Sequence, residues 1–283
     1  MAALVSSRLP AVAGRIASPT NHRIKRLVRL RSRRERDRTH KFLIEGYREL
    51  LRAVEHHVAL EEMYFSPELL LGKDEPALLE MAASSGAALF EVSDVAFRKA
   101  AYRARPEGLI GVAAQLPAGL DRIDPAGDPL LLVVESIEKP GNLGTMLRTA
   151  AAAGARGVVV CDPATDLFNP NVVRTSLGAL FSIPVAVAPT LGALAWLQSN
   201  GIRILATTPL ADRAYTEVDY RGACALVVGS EQVGLSRPWL EAAAATIRIP
   251  MRGEIDSLNA AMASGIVLFE AVRMRHGDGA GRG

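Results

Sequence analysis

Apolar and polar positions alternate along this chain in two successive rounds, each built of short buried stretches and one-sided helical patterns. In the first round Phe42-Leu43-Ile44 predicts a strand, and Tyr47 to Glu55 a helix with Leu50, Leu51 and Val54 inward. Strands near Glu62 to Phe65, Ala88 to Val92 and Gly108 to Gln115, with a helix near Pro76 to Ser84, complete a small layered α/β domain over residues 36–116. Upstream, Ser18-Pro19-Thr20-Asn21 supplies cap residues for a short basic helix packed through Ile24, Leu27, Val28 and Leu30. Residues 1–35 are therefore expected as a flexible tail followed by that helix. Residues 117–129 are rich in Pro, Gly and Asp and predict a linker.

The second round opens with Leu130 to Val134, an unbroken apolar run of the kind buried parallel strands show. A helix from Asn142 to Ala153, strands at Gly157 to Val160 and Ile183 to Val187, and a helix at Leu191 to Gln198 follow. Strands at Ile202 to Ala206 and Ala225 to Val228 lead to a closing helix, Leu258 to Arg275. Met262, Ile266, Phe269 and Val272 or Arg273 recur there about one turn apart. The pattern predicts a doubly wound parallel sheet over residues 130–276 and a short tail over 277–283. Ligands of such sheets sit beyond the carboxyl ends of the strands.

Composition narrows the class. Hydrophobic residues at 49% and charged residues at 22% exclude a disordered chain. Cys161 and Cys224 make neither a disulfide framework nor a zinc site, which fits a reduced, cytoplasmic setting. No apolar stretch reaches the roughly 18–20 residues of a membrane span. The first 17 residues contain Arg8 and Arg15 and no acid; an Ala/Ser-rich tail is the plain explanation, an organellar transit peptide the alternative.

The net charge of +3 conceals an asymmetry: ten basic residues between Arg23 and Lys41 face only Glu35 and Asp37. A basic arm on an otherwise mildly acidic body is the footprint of a polyanion binder. Arg23, Lys25, Arg26, Arg29, Arg31, Arg33 and Arg34 are the candidate nucleic-acid contacts; a solvated helix face is the plainer alternative.

Three loops at predicted strand ends carry the candidate chemistry. The first, Glu135 to Thr149, has glycines spaced G-x-x-G and too much loop before them for a dinucleotide turn, so a dehydrogenase with Asp162 as ribose acid is disfavoured. The second, Gly229 to Ser236, sets Glu231 in a glycine-flanked turn. The third, Ile249 to Asn259, brings Ser257 and Asn259 to the entry of the closing helix. Any one of these has a structural explanation as a turn or a helix cap. No phosphate loop or cluster of metal ligands is present, and no metal is expected.

Together the loops resemble the SpoU (TrmH) branch of the SPOUT methyltransferases. The motifs N-x-G-x-x-x-R-T, G-x-E-x-x-G-L and I-P-M-x-G-x-x-x-S-L-N occur in order from Asn142 to Thr149, Gly229 to Leu235 and Ile249 to Asn259. Gln232 stands where typical members have Gly. The amino-terminal part is similar, more loosely, to the family's α/β/α substrate-binding domain.

The resemblance implies a fold and a reaction. The carboxyl-terminal domain would hold a trefoil knot, with S-adenosyl-L-methionine bent inside it against Gly229, Ile249 and Leu258. Thr207 and Thr208 would line the same pocket. The reaction implied is methyl transfer to a ribose 2′-hydroxyl of RNA, 23S ribosomal RNA ahead of transfer RNA. A catalytically silent RNA-binding protein is the alternative. Arg148 would act on the ribose side, as the family's proposed base or as a phosphate clamp, the commoner work of a guanidinium. Asn142 and Glu231 would orient Arg148 or the substrate, and Ser257 and Asn259 would complete the pocket. The family's active site is shared across a homodimer.

Overall fold

The structure, a computed structural model, describes residues 10–72 and 74–276. The expected tails over residues 1–9 and 277–283 lie outside the described residues. In chain order the elements begin with β1 (Gly14–Ile16), α1 (His22–Arg29), α2 (Arg33–Thr39), β2 (Lys41–Glu45), α3 (Tyr47–Glu55) and β3 (Leu60–Phe65). Next come α4 (Glu75–Ser84), β4 (Ala88–Val92), α5 (Asp94–Ala100), β5 (Leu109–Ala114), β6 (Leu130–Glu135), α6 (Pro140–Ala152) and β7 (Gly157–Cys161). The remainder is α7 (Pro170–Ser176), α8 (Ala179–Ser182), β8 (Val185–Ala188), α9 (Thr190–Ser199), β9 (Arg203–Thr207) and β10 (Arg213–Ala214). The chain closes with β11 (Cys224–Val228), α10 (Arg237–Ala242), β12 (Ala245–Arg248) and α11 (Ala260–His276).

The chain packs as two units. The first contains the described residues up to Leu116 together with Leu167–Phe181. Its five-stranded mixed sheet runs β1-β4-β3-β5-β2, with β5 antiparallel to both β2 and β3. Ile24, Leu27 and Leu30, all but inaccessible, pack with Tyr64, Phe90, Phe97 and Ile110 into one core. Asn21 caps α1 by accepting from the Arg23 amide, and Ser93 caps α5 through the Ala96 amide.

Two parts of this unit differ from expectation. Residues 14–16 form a strand rather than a tail, because Gly14 to Ile16 pair in parallel with Phe90 to Val92 and Ser93 donates to Ile16 and Ala17. Leu167–Phe181, which the sequence reading sets within residues 130–276, packs with this unit in space, where the Phe42 ring meets Phe168 and Phe181 in tilted contacts at 4.7 and 6.2 Å. Aromatic pairs at such distances hold elements together beyond their area burial.

The second unit comprises Pro117–Asp166 and the described residues from Ser182 on. Its sheet runs β10-β12-β9-β11-β6-β7-β8 with every pair parallel. Leu131 and Val133 point into a core with Val159, Ala206, Val227 and Trp239. Alternate residues Leu132 and Val134 are equally buried, as period-two strands covered on both faces require. Helix α11 packs along α6 and over β11, and a Cβ at Gly265 would stand only 3.4 Å from Thr149.

The face of α11 turned inward is not the one the spacing suggested. Ala261, Ser264, Val267, Leu268 and Ala271 are buried, whereas Met262 and Phe269 are 61% and 50% exposed. Of the expected apolar row, Ile266 and Val272 are half-buried and only Met262 and Phe269 stay outside. Among the described residues no helix is long and apolar enough to cross a membrane.

Candidate functional site

Parallel topology places the carboxyl ends of β6, β9, β11 and β12 along one rim of the second unit. A cavity of about 400 Å³ opens there, lined by Thr207, Thr208, Gly229, Ile249, Ser257 and Leu258 among others. That volume lies within the range of small-molecule sites, and Leu235, Leu240 and Val267 give it apolar walls. Thr207 donates its hydroxyl to the Val227 carbonyl, and Thr208 donates its amide to Ile247, so this wall is tied to both neighbouring strands.

The turn after β11 explains its glycines. A Cβ on Gly229 would stand 2.3 Å from the backbone C and O of Gly234 and 2.6 Å from the Leu235 amide, closer than any carbon can come. The Gly234 amide donates to Ser230, and Gly234 itself sits in the left-handed region at φ 71. The ring so closed presents the Glu231 side chain outward at the cavity mouth.

Glu231 is the hub of the polar groups. Its Oε1 accepts from Asn142 Nδ2 (2.9 Å), Asn259 Nδ2 (2.5 Å) and the Ala260 amide (3.3 Å), while Lys139 Nζ closes on Oε2. Asn259 also donates to Asn142 Oδ1 at 3.1 Å. Contact with Lys139, supported by Ala260 and Asn142, holds the Glu231 carboxyl below the usual carboxylate range. Each of the three sequence motifs thus contributes one member to a single hydrogen-bonded cluster.

Not every expected residue joins it. Asn142, Arg148 and Asn259 are not among the residues lining the cavity, although Glu231 and Ser257 are. Arg148 lies exposed on α6, one turn beyond Thr145. Asp162, considered for a ribose, instead accepts the Thr190 amide at the start of α9.

Lys139 and Glu135 are the residues that sequence reasoning passed over. Glu135 is 4% exposed and accepts from the Thr190 hydroxyl (2.8 Å) and from the amide and hydroxyl of Ser236 (2.7 and 2.6 Å). A carboxylate ending an apolar strand was the available signal. Removing it strands those donors, so Glu135→Ala should cost about 3 kcal/mol of stability, read from urea unfolding midpoints.

In the first unit the basic arm divides into two groups. Arg23 bonds Glu62 at 2.6 Å and covers the Phe90 ring, Arg26 pairs with Glu62 and Tyr64, and Arg31 donates to the carbonyls of Lys99 and Ala101. These three are engaged in holding the unit together. Lys25, Arg29, Arg33 and Arg34 stay exposed.

Comparison with known proteins places the chain in a family. The model of the SpoU rRNA Methylase family matches residues 129–269, and the MRM3-like substrate binding domain matches residues 21–111. The 23S rRNA (guanosine(2553)-2′-O)-methyltransferase RlmP of Bacillus subtilis is 32% identical over 260 residues, 90% of this chain and 97% of that one. The chain belongs to the SpoU rRNA methylase family. Among solved SpoU-like structures, an RNA 2′-O ribose methyltransferase aligns with a TM-score of 0.81 and 40% identity, covering 92% of this chain and 98% of its own. The AdoMet-bound rRNA methyltransferase of Sinorhizobium meliloti aligns at 0.84 and 31%, covering 92% and 97%. With the SpoU assignment, the amino-terminal unit corresponds to a substrate-binding module and the parallel-sheet unit to the methylase proper.

Proposed function

We propose that this protein transfers a methyl group from S-adenosyl-L-methionine to a ribose 2′-hydroxyl of 23S ribosomal RNA, in the cytoplasm. The observation that carries the proposal is the convergence of Asn142, Glu231 and Asn259 beside a cavity whose walls include Gly229, Ile249 and Leu258. The cavity suits the cofactor: it has room for a nucleoside, apolar side chains from Ile249 and Leu258 for a flat purine, and strand-end backbone for its polar edge. Relatives and neighbours of over 30% identity that span most of the chain carry ribosomal-RNA methyltransferase names.

When bound, the cofactor supplies an electrophilic methyl on a sulfonium. The protein's own work is then to position and to exclude water. Arg148 clamps the phosphate beside the target ribose, and its planar fork of donors suits that geometry. Asn142, in the first turn of α6, orients Arg148 or the ribose, and Glu231 and Asn259 hold Asn142 in one orientation. Ser257 closes the mouth of the cavity toward the ribose.

The working form is a homodimer in which Arg148 serves the partner's cavity. Support comes from the exposure of Arg148 on α6 and of Met262 and Phe269 on the adjoining α11, an apolar helix face without a cover among the described residues. The last helix is threaded as a trefoil knot; its return from β12, next to the edge strand β10, to the middle of the sheet against β11 and α6 is consistent with that path.

The deciding experiment maps ribose methylation at single-nucleotide resolution on ribosomal and transfer RNA from cells with and without the gene. Loss of one ribosomal site, restored by the purified protein with S-adenosyl-L-methionine, is the expected result; loss of a transfer-RNA site redirects the substrate, and no loss overturns the activity. RNA affinity is expected to rest on the exposed half of the arm. Neutralising Lys25, Arg33 and Arg34 together should flatten the slope of log affinity against log salt by about two to three units. Filter binding across a salt series measures this, and an unchanged slope would leave the arm a solvated surface.

A further inference from the structure

We propose that Lys139 is a positioning residue of the methyl-transfer site, acting through Glu231 to keep Asn142 and Asn259 in register. The inference rests on the function proposed above and extends it to a residue outside the three motifs.

The backbone of Lys139 is itself fixed, since its carbonyl accepts the amides of Asn142 and Leu143 and so starts α6. Its side chain crosses from the loop after β6 to Glu231 in the loop after β11. The preceding residue makes a parallel crossing: Gln232 Nε2 donates to Glu138 Oε2 at 3.0 Å. Consecutive residues of one loop therefore grip consecutive residues of the other. Gln232, the one departure from the family motif, is part of that grip.

The consequence for the site follows from how the oxygens of Glu231 are divided. Oε1 collects Asn142, Asn259 and the Ala260 amide, whereas Oε2 is held by Lys139. Without the ammonium, a carboxylate whose side chain is 25% exposed is free to turn toward water and release its three donors. The Asn142 amide is then no longer fixed at both ends, because its orientation depends on donating to Glu231 while accepting from Asn259. An ion pair this exposed adds little to folding, so its effect falls on the geometry of the site.

The charge relation gives a second consequence. Lys139 is the cation whose contact lowers the Glu231 carboxyl, and Lys139 in turn is flanked by Glu231 and Glu138. Lys139 holds the Glu231 carboxyl down. Removing Lys139 lets that carboxyl protonate at higher pH, and a protonated Glu231 loses acceptor capacity for the cluster.

The test uses the full-length protein. Methyl transfer to a 23S transcript is measured for wild type, Lys139→Met and Lys139→Arg, beside carboxyl-carbon NMR of Glu231, from the acid range below the usual carboxylate values up to neutral pH. Lys139→Met should lower kcat about tenfold with little change in either KM. Its acid limb and the Glu231 titration should both move to higher pH, and Lys139→Arg should restore kcat. An unmoved Glu231 titration overturns the inference whether or not the protein turns over. So does an active wild type whose Lys139→Met variant matches it in kcat and acid limb, or one in which only the KM for RNA rises. A wild type that transfers no methyl to ribosomal or transfer RNA strikes the proposed function instead, and the titration still decides the role of Lys139.

Discussion

Replacing Arg148 by alanine is expected to slow methyl transfer by about a thousandfold while leaving S-adenosyl-L-methionine affinity within about twofold. The two effects separate because of where the side chain lies. Arg148 is exposed on α6 and absent from the lining of the cavity, so its loss leaves the proposed cofactor walls intact. Among the described residues it has no hydrogen bond or ion pair, and its five donors are all available to a substrate. A guanidinium is a poor base but a good bidentate partner for phosphate, and the loss should therefore appear in kcat and in RNA positioning together. Arg148→Lys, which keeps charge without the fork, should recover only part of the rate. Single-turnover methylation and calorimetry with the cofactor make the comparison. Turnover equal to wild type in Arg148→Ala would remove the residue from catalysis.

What the sequence revealed and what it hid follow the range of the interactions concerned. Tyr47–Glu55 and Ala88–Val92 are found where the periodicity put them, since their inward faces are written in consecutive residues. Strand β1 is three residues long and gains its identity only from pairing with β4, some seventy positions away. The transfer of Leu167–Phe181 to the first unit depends on Phe42 meeting Phe168 and Phe181, which no local pattern announces. The apolar row on α11 was legible, but its direction was not: α11 packs on α6, with Gly265 beside Thr149, and turns Ala261, Ser264, Val267, Leu268 and Ala271 inward. The same limit applies to the basic arm, where seven candidate arginines and lysines look alike until Glu62, Phe90 and the carbonyls of Lys99 and Ala101 claim three of them. Asn142, Glu231 and Asn259 could be picked out from sequence because each sits in a short motif. Their meeting at Glu231 still required the parallel sheet to bring three loops to one rim.

Gly229→Ala carries the second large effect, and it acts on the opposite side of the reaction. The added methyl would meet the backbone of Gly234 at 2.3 Å, and neither strand end can yield, since the Ser230–Gly234 bridge closes the turn and β11 is paired on both sides. The requirement is one of space, so the turn must move outward by the order of an ångström. Displacement of that size should lower both cofactor affinity and methyl transfer, the latter by about a hundredfold, and the overpacking should cost about 1–3 kcal/mol of stability. Calorimetry with S-adenosyl-L-methionine and thermal unfolding read the two effects; cofactor affinity equal to wild type in a folded variant would dissociate Gly229 from the cofactor. Together with Arg148→Ala this variant also tests the proposed dimer. Mixed after reversible dissociation, the two inactive proteins form hybrids in which the intact cavity of one subunit faces the intact arginine of the other. If the arginine acts across the interface, activity should return to roughly a quarter of wild type, because half the dimers are hybrids and each has one complete site. If each subunit used its own arginine, every hybrid would contain two broken sites, and the mixture would stay as inactive as its parts.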